Sequence, residues 1–187
     1  MVRQPDYYEE FSIFKRYTGQ IEATTSTIDR YVREGKLFVP QNAMIYGDIG
    51  VSDGLLTSNL VKVFNAAAPA VTLYATEPDP AAFKKLTKRF PKVQNMVLDN
   101  ITFADWMNKY ENLLKGKIDF LLNSHTLYHY FLEEWGTIIR RANQFLSPQG
   151  THCIARIRDD RHTEQAIDRF AAAGRPDEWR RIQGLWP

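Results

Sequence analysis

The feature that most constrains the fold is a regular alternation of short apolar segments with amphipathic segments between residues 43 and 157. The amphipathic segments repeat their apolar residues every three or four positions, as helices do. The apolar segments predict five β-strands, at residues 43–46, 71–75, 93–98, 118–122 and 151–157. Strands that alternate with helices form a mostly parallel sheet, and the helices cover both of its faces. We therefore predict an α/β fold of this kind.

The length of 187 residues indicates a single domain. Within it, residues 1–40 have aromatic residues at helical spacing and predict a helical lid. Residues 41–158 hold the strands and predict a ligand-binding core. Residues 159–187 predict a short helical tail, and a turn is expected at residues 147–150, before the fifth strand.

Composition excludes several classes of protein. The chain is 44% hydrophobic, enough for a sizeable core, and its 24 basic and 22 acidic residues give a net charge of +2. A chain so nearly neutral lacks the basic surface that binds nucleic acid, and no apolar run is long enough to cross a membrane. The single cysteine, Cys153, can form neither an intrachain disulfide nor a zinc site by itself, so we expect a cytoplasmic protein without a metal.

A glycine-containing loop follows the first predicted strand, with the sequence D-I-G-V-S-D-G at residues 48–54. Gly50 and Gly54 allow a tight turn, and the helix that follows offers free N–H groups to a ligand. Its spacing differs from the G-x-G-x-x-G of dinucleotide-binding proteins. It also matches G-x-S-x-G, in which Ser52 would be the nucleophile of a hydrolase. A third alternative requires an acidic residue after the next strand.

Glu77 is that acidic residue, at the end of the second predicted strand. A carboxylate in this position accepts hydrogen bonds from both hydroxyls of a ribose. The alternative is a purely structural carboxylate that interacts with the dipole of the following helix. The glycine loop one strand earlier favours the ribose role.

Together, the D-x-G-x-S-x-G loop, Glu77 and the strand at residues 117–122 resemble the motifs of class I S-adenosylmethionine-dependent methyltransferases over residues 40–158. Within this class the chain is most similar to the histamine N-methyltransferase family. That similarity is carried by Y-E-E-F-S-I-F at residues 8–14, by Glu77-Pro78, and by H-T-L-Y-H-Y at residues 125–130. The resemblance implies a Rossmann-like fold and S-adenosylmethionine as cofactor, with a small-molecule amine as methyl acceptor.

The resemblance also implies a role for individual residues. His125 would be the catalytic residue that accepts or relays the proton of an amine. The residues implied to bind the cofactor are Gly50, Ser52, Gly54, Glu77, Thr102, Phe103 and Ser124. The residues implied to bind the substrate are Tyr8, Phe11, His125 and Tyr128.

Structural alternatives accompany these assignments. Phe103 is equally consistent with a place in a helix core, His125 with a histidine that only forms hydrogen bonds, and the N-terminal aromatic residues with the core of the lid. The resemblance further implies two more strands after the fifth, which residues 159–187 do not provide. The alternative function is therefore a non-catalytic binding or regulatory protein with this fold, which would self-associate through its shortened sheet edge.

Overall fold

The computed structural model describes residues 19–40, 42–91, 95–124 and 126–155. The predicted tail and most of the predicted lid lie outside these ranges. Residues Ala23–Ala155 form one compact unit. No helix in the described ranges is long and apolar enough to span a membrane.

A single five-stranded parallel sheet forms the centre of this unit, with the strand order β3-β2-β1-β4-β5. The order confirms the predicted α/β, Rossmann-like fold. β1 is central, with β2 and β3 on one side of it and β4 and β5 on the other, so the strand order reverses between the neighbouring strands β1 and β4. The strands are β1 (Met44–Ile49), β2 (Val71–Thr76), β3 (Met96–Asp99), β4 (Ile118–Ser124) and β5 (Leu146–Ala155).

Five helices in the described ranges accompany the strands. They are α1 (Gln20–Arg33), α2 (Leu55–Ala67), α3 (Pro80–Arg89), α4 (Phe103–Leu114) and α5 (Leu132–Asn143). A single 3₁₀ turn, Leu127–His129, follows β4. Pro80 occupies the first turn of α3, where a missing N–H costs nothing, and the Asp79 side chain caps that helix.

The two faces of the sheet bury separate apolar clusters. On one face, β1 and β4 contribute Tyr46 and Phe120, which pack with Phe64 of α2 at ring-centroid distances of 5.0–5.7 Å. On the other face, Trp106 of α4 packs against Phe145 with Ile118 and Leu121 of β4. Burial on both faces explains why β4 is buried at every position from Ile118 to Asn123 rather than at alternate ones.

The predicted turn at residues 147–150 is the largest error in the predicted elements, because the structure places these residues inside β5. Leu146 pairs with Ile118 and Thr151 with Phe120, so β5 advances five residues where β4 advances two. The excess residues form an irregularity within the strand. The hydroxyl of Ser147 in this segment donates to the Asp119 carboxylate at 3.0 Å.

Candidate functional site

The carboxyl ends of the central strands lie side by side, as the parallel register requires. Ile49 of β1 pairs with Thr76 of β2 and with Asn123 of β4, and Thr76 pairs with Asp99 of β3. The segments that follow these strands therefore meet at one edge of the sheet. Open α/β folds bind their ligands at this edge, where the strand order changes direction.

The glycine loop, residues 50–54, leaves β1 at this edge, and three of its five residues have a left-handed backbone. The φ angles are 70° at Gly50, 55° at Ser52 and 75° at Gly54. The backbone N–H groups of Gly50 and Val51 donate to the Thr76 carbonyl at 2.8 and 3.2 Å. The loop is thus fixed to the end of β2 before it enters α2.

Close contacts, as well as the positive φ angles, favour glycine at both Gly50 and Gly54. A Cβ atom at Gly50 would lie 1.9 Å from the Cγ2 atom of Thr126, and one at Gly54 would lie 2.5 Å from the Cδ1 atom of Leu86. These distances are far inside van der Waals contact. The loop therefore packs against neighbouring elements to an extent that a larger residue would prevent.

Glu77 lies directly beside this loop and is only 3% exposed. Its Oε2 atom accepts a hydrogen bond from the Ser52 N–H at 2.7 Å, and its Oε1 atom accepts one from the Asp79 N–H at 2.9 Å. Its backbone carbonyl accepts from the Asn100 side chain at 2.7 Å. The carboxylate is therefore held in one place between the glycine loop and the start of α3.

Asp48, the first residue of the loop motif, is buried at the end of β1 and is 2% exposed. The hydroxyl of Tyr46 donates to its Oδ2 atom at 2.5 Å. Burial, more than any other cause, raises the pKa of Asp48 to about 7. No specific role for this side chain was predicted, although the motif itself contains it.

The two predicted site residues that follow the carboxyl end of β3 are Thr102 and Phe103. Thr102 is the N-cap of α4: its hydroxyl accepts from the Asp105 N–H at 3.2 Å and donates to the Asp105 carboxylate at 2.7 Å. Phe103 is 4% exposed and packs against Trp106 in the core. Both residues thus have structural contacts, and their contribution to an adenine site stays a prediction.

Unsatisfied polar atoms lie where β4 ends. Ser124 is half-buried there, and its neighbour Asn123 is 1% exposed, with neither its Oδ1 nor its Nδ2 atom hydrogen-bonded. The Oγ1 atom of Thr126, whose methyl group covers Gly50, is also buried without a partner. A buried polar group of this kind costs free energy unless a ligand or water satisfies it. Asn123 and Thr126 were not among the predicted site residues.

The remaining predicted site residues lie outside the described part of the chain. They are His125, Tyr8, Phe11 and the side chain of Tyr128. Their roles stay predictions. Within the described ranges, no group of three or more His, Cys, Asp or Glu side chains is placed to hold a metal ion.

Comparison with known proteins identifies the fold. No protein-family profile matches the sequence, and no curated protein matches it. Among solved structures, the citrinin polyketide synthase CMeT domain has a TM-score of 0.56 at 15% identity, covering 72% of this chain and 34% of that one. A Leishmania major S-adenosylmethionine-dependent methyltransferase has a TM-score of 0.52 at 13% identity, covering 78% of this chain and 61% of that one.

A third structure, of a Methanococcus maripaludis protein proposed to be an S-adenosyl-L-methionine-dependent methyltransferase, has a TM-score of 0.59 at 13% identity. The match covers 97% of this chain and 78% of that one. The chain spans less than two thirds of the length of the first two structures. The fold is accordingly the Rossmann-like α/β fold of class I methyltransferases.

Proposed function

We propose that the protein is an S-adenosylmethionine-dependent methyltransferase that acts on a small molecule, with an amine as the acceptor. The proposal combines the observed fold with the resemblance of the sequence motifs to those of histamine N-methyltransferases, which stays a prediction. The observation that carries it is the buried carboxylate of Glu77, held beside the glycine loop by the 2.7 Å hydrogen bond from Ser52.

The geometry of Glu77 supports a role in binding the ribose of the cofactor. Its two carboxylate oxygens each accept one backbone hydrogen bond, from Ser52 and from Asp79. These two bonds also fix its orientation, so that ordering this side chain adds little to the entropic cost of binding. A ribose presents two adjacent hydroxyl donors, which a fixed carboxylate suits.

The residues around Gly50 support a site for the amino-acid end of the same cofactor. The absence of a side chain at Gly50 lets a ligand approach the backbone closely. Asn123 and Thr126, which lie next to it, have buried polar atoms without partners. An ammonium and a carboxylate provide the donor and the acceptors that these atoms lack. Ser124, Thr102 and Phe103 are proposed to complete the site.

When bound, the cofactor supplies an electrophilic methyl group on a sulfonium, so the protein needs no covalent nucleophile of its own. Its main contribution is to position the acceptor in line with that group. An amine acceptor must be neutral, and we assign His125 to take up or relay its proton. Tyr8, Phe11 and Tyr128 are proposed to contact the acceptor. A cytoplasmic location and the absence of nucleic-acid partners remain predictions.

Calorimetric titration of the full chain with S-adenosylmethionine tests this proposal, together with the variant Glu77→Gln. The variant loses the carboxylate charge, and a charge-assisted hydrogen bond is worth about 1.5–3 kcal/mol. We therefore expect the variant to bind about 10- to 100-fold more weakly. Circular dichroism of each sample shows that it is folded.

Glu111→Gln is the matched control, because Glu111 is a half-buried glutamate near the end of α4, where it pairs with Lys115 and Arg141, away from the site. It is expected to bind like the wild type. Equal affinities for wild type and Glu77→Gln would remove Glu77 from the cofactor site. Once binding is measured, transfer of an isotopically labelled methyl group to a panel of small amines tests the acceptor. Binding without transfer to any acceptor would favour the non-catalytic alternative, including self-association along the β5 edge.

A further inference from the structure

The C-terminal end of α3 is bonded to the second half of the glycine loop. The Nε–H group of Arg89, the last residue of α3, donates to the backbone carbonyl of Asp53 at 2.8 Å. The guanidinium also lies 3.4 Å from the Asp53 carboxylate. The first half of the loop is held by Glu77, which accepts the Ser52 N–H at 2.7 Å. Two consecutive loop residues are therefore bonded to side chains at the two ends of the segment that contains α3.

The backbone between these two bonds has a conformation that needs support. Ser52 has a φ of 55°, in the left-handed region that residues with a side chain seldom adopt. Such a conformation persists where neighbouring contacts hold it in place. Glu77 holds the N–H of Ser52, and Arg89 holds the carbonyl of the next residue. Loss of the Arg89 bond would leave one of these two bonds to offset the cost at Ser52.

The last turn of α3 packs directly against the end of the loop. A Cβ atom at Gly54 would lie 2.5 Å from Leu86 and 3.0 Å from Phe90, both of which are buried. It would also lie 3.5 Å from the Cδ atom of Arg89. The aliphatic part of Arg89 thus belongs to this packed contact, and 35% of its side chain is exposed. Its guanidinium is therefore presented to the loop from a fixed position.

Asp53 also connects the loop to α2. The Oδ1 atom of its carboxylate accepts a hydrogen bond at 3.3 Å from the N–H of Leu55, the first residue of α2. The first N–H groups of a helix have no carbonyl partner within that helix, and they point toward a ligand that lies in front of it. The position of Asp53 therefore affects both the loop backbone and the direction of these N–H groups.

We propose that Arg89 is a positioning residue for the cofactor: its bond to the Asp53 carbonyl keeps the second half of the glycine loop in the shape that binds S-adenosylmethionine. The inference rests on the proposed function, because it concerns the same site. A loop that is already ordered binds a ligand more tightly than a loop that the ligand must order. The effect of Arg89 should therefore appear in the affinity of the folded protein as well as in its stability.

Calorimetric titration of the full chain with S-adenosylmethionine, as the wild type and as Arg89→Gln, tests this role. Glutamine lacks both the charge and the Nε–H group of arginine. We expect Arg89→Gln to bind about 3- to 10-fold more weakly, the range that corresponds to the net contribution of one hydrogen bond. Equal affinities for the two folded proteins would overturn the role of Arg89.

Lys88→Gln is the matched control. Lys88 is the preceding residue of α3 and is exposed, so the substitution removes the same charge from the adjacent position. This variant should bind like the wild type. Losses of equal size in Lys88→Gln and Arg89→Gln would show that the charge of α3, rather than the bond to Asp53, sets the affinity, and the inference would be wrong.

Hydrogen exchange without ligand separates positioning of the loop from a general loss of stability. In Arg89→Gln, the amides of residues 50–58 should exchange faster than in the wild type. The amides of α4, which packs on the other face of the sheet, should exchange at the wild-type rate. Faster exchange in both regions, with unchanged affinity, would show that Arg89 has a structural role alone and would contradict the proposal.

Arg89→Lys takes the place of Arg89→Gln if the latter does not fold. Lysine keeps the charge but has a carbon atom where arginine has Nε, so it should also bind about 3- to 10-fold more weakly. Wild-type affinity in this variant would exclude the Nε bond as the cause and overturn this inference alone. A folded wild type that binds no S-adenosylmethionine overturns the proposed function, and this inference with it.

Discussion

At the scale of single residues, burial of the Asp48 carboxyl lowers the stability of the folded protein when that carboxyl is ionised. Its carboxyl has an ordinary pKa of 3.8 and a pKa of about 7 in the folded protein, chiefly because it is buried. Between these two values the folded protein holds a proton that the unfolded chain has lost. The wild type should therefore lose stability as pH rises from about 4 to about 7 and lose no more above that range.

Asp48→Asn removes this dependence, since an amide has no proton to lose and its oxygen can still accept the hydrogen bond from Tyr46. One pKa unit corresponds to about 1.4 kcal/mol. Relative to the wild type, the variant should gain about 2–3 kcal/mol of unfolding free energy between pH 5 and pH 8. Urea unfolding at the two pH values measures the difference. An equal difference at both would show that Asp48 titrates normally in the folded state.

The sequence was sufficient to identify Glu77 as a candidate site residue, because an acidic residue at the end of a predicted strand can be recognised from its position along the chain. It was not sufficient to show that Glu77 is bonded to Ser52, because that contact depends on the register between β1 and β2. The structure also adds a consequence for mutagenesis. Removing the whole Glu77 side chain would leave the Ser52 and Asp79 N–H groups without their acceptor, so Glu77→Gln is the cleaner test than an alanine.

At the scale of elements, the strand interiors were predictable and their ends were not. The first strand was predicted to end at residue 46 but continues to Ile49. Gly47 and Asp48 are residues with low strand propensity, and their place in the strand comes from pairing with β2 and β4 on both sides. Similarly, Pro148 and Gly150 are residues typical of turns, yet they lie inside β5, and the parallel pairing of β5 with β4 resumes at Thr151.

The glycine loop allows the backbone and packing contributions of one glycine to be separated. Gly50→Ala introduces a left-handed alanine, at a cost of about 1–2 kcal/mol, and also a contact with Thr126. Gly116→Ala is the matched control: its φ of 71° is nearly the same, but a Cβ there would meet nothing within 4 Å.

Chemical unfolding of both variants should show a larger loss for Gly50→Ala than for Gly116→Ala. Cofactor titration should show weaker binding for Gly50→Ala alone, because Gly116 lies at the far end of α4. Equal losses of stability would mean that Thr126 moves aside at no cost. Equal affinities for the wild type and Gly50→Ala would exclude close approach of the cofactor to this residue.

At the scale of the whole described unit, one sheet joins two apolar clusters that do not share side chains. Leu60 of α2 belongs to the cluster on one face and Leu114 of α4 to the cluster on the other, and both are almost fully buried. Every strand between them is hydrogen-bonded to its neighbours, with β1 at the centre. Neither cluster can therefore open fully without disturbing the strands that support the other.

Because the two clusters share one sheet, a destabilising substitution on one face should lower protection from hydrogen exchange on both faces. Leu60→Ala and Leu114→Ala should each cost about 2–5 kcal/mol, the range for a buried leucine. Native-state hydrogen exchange should then show faster exchange in α2, β1 and α4 together in either variant. Leu113→Ala, at an adjacent position that is 51% exposed, is the matched control and should change exchange little. Faster exchange confined to the mutated face would mean that the two apolar clusters unfold independently. The glycine loop would then be stabilised by the cluster on one face of the sheet alone.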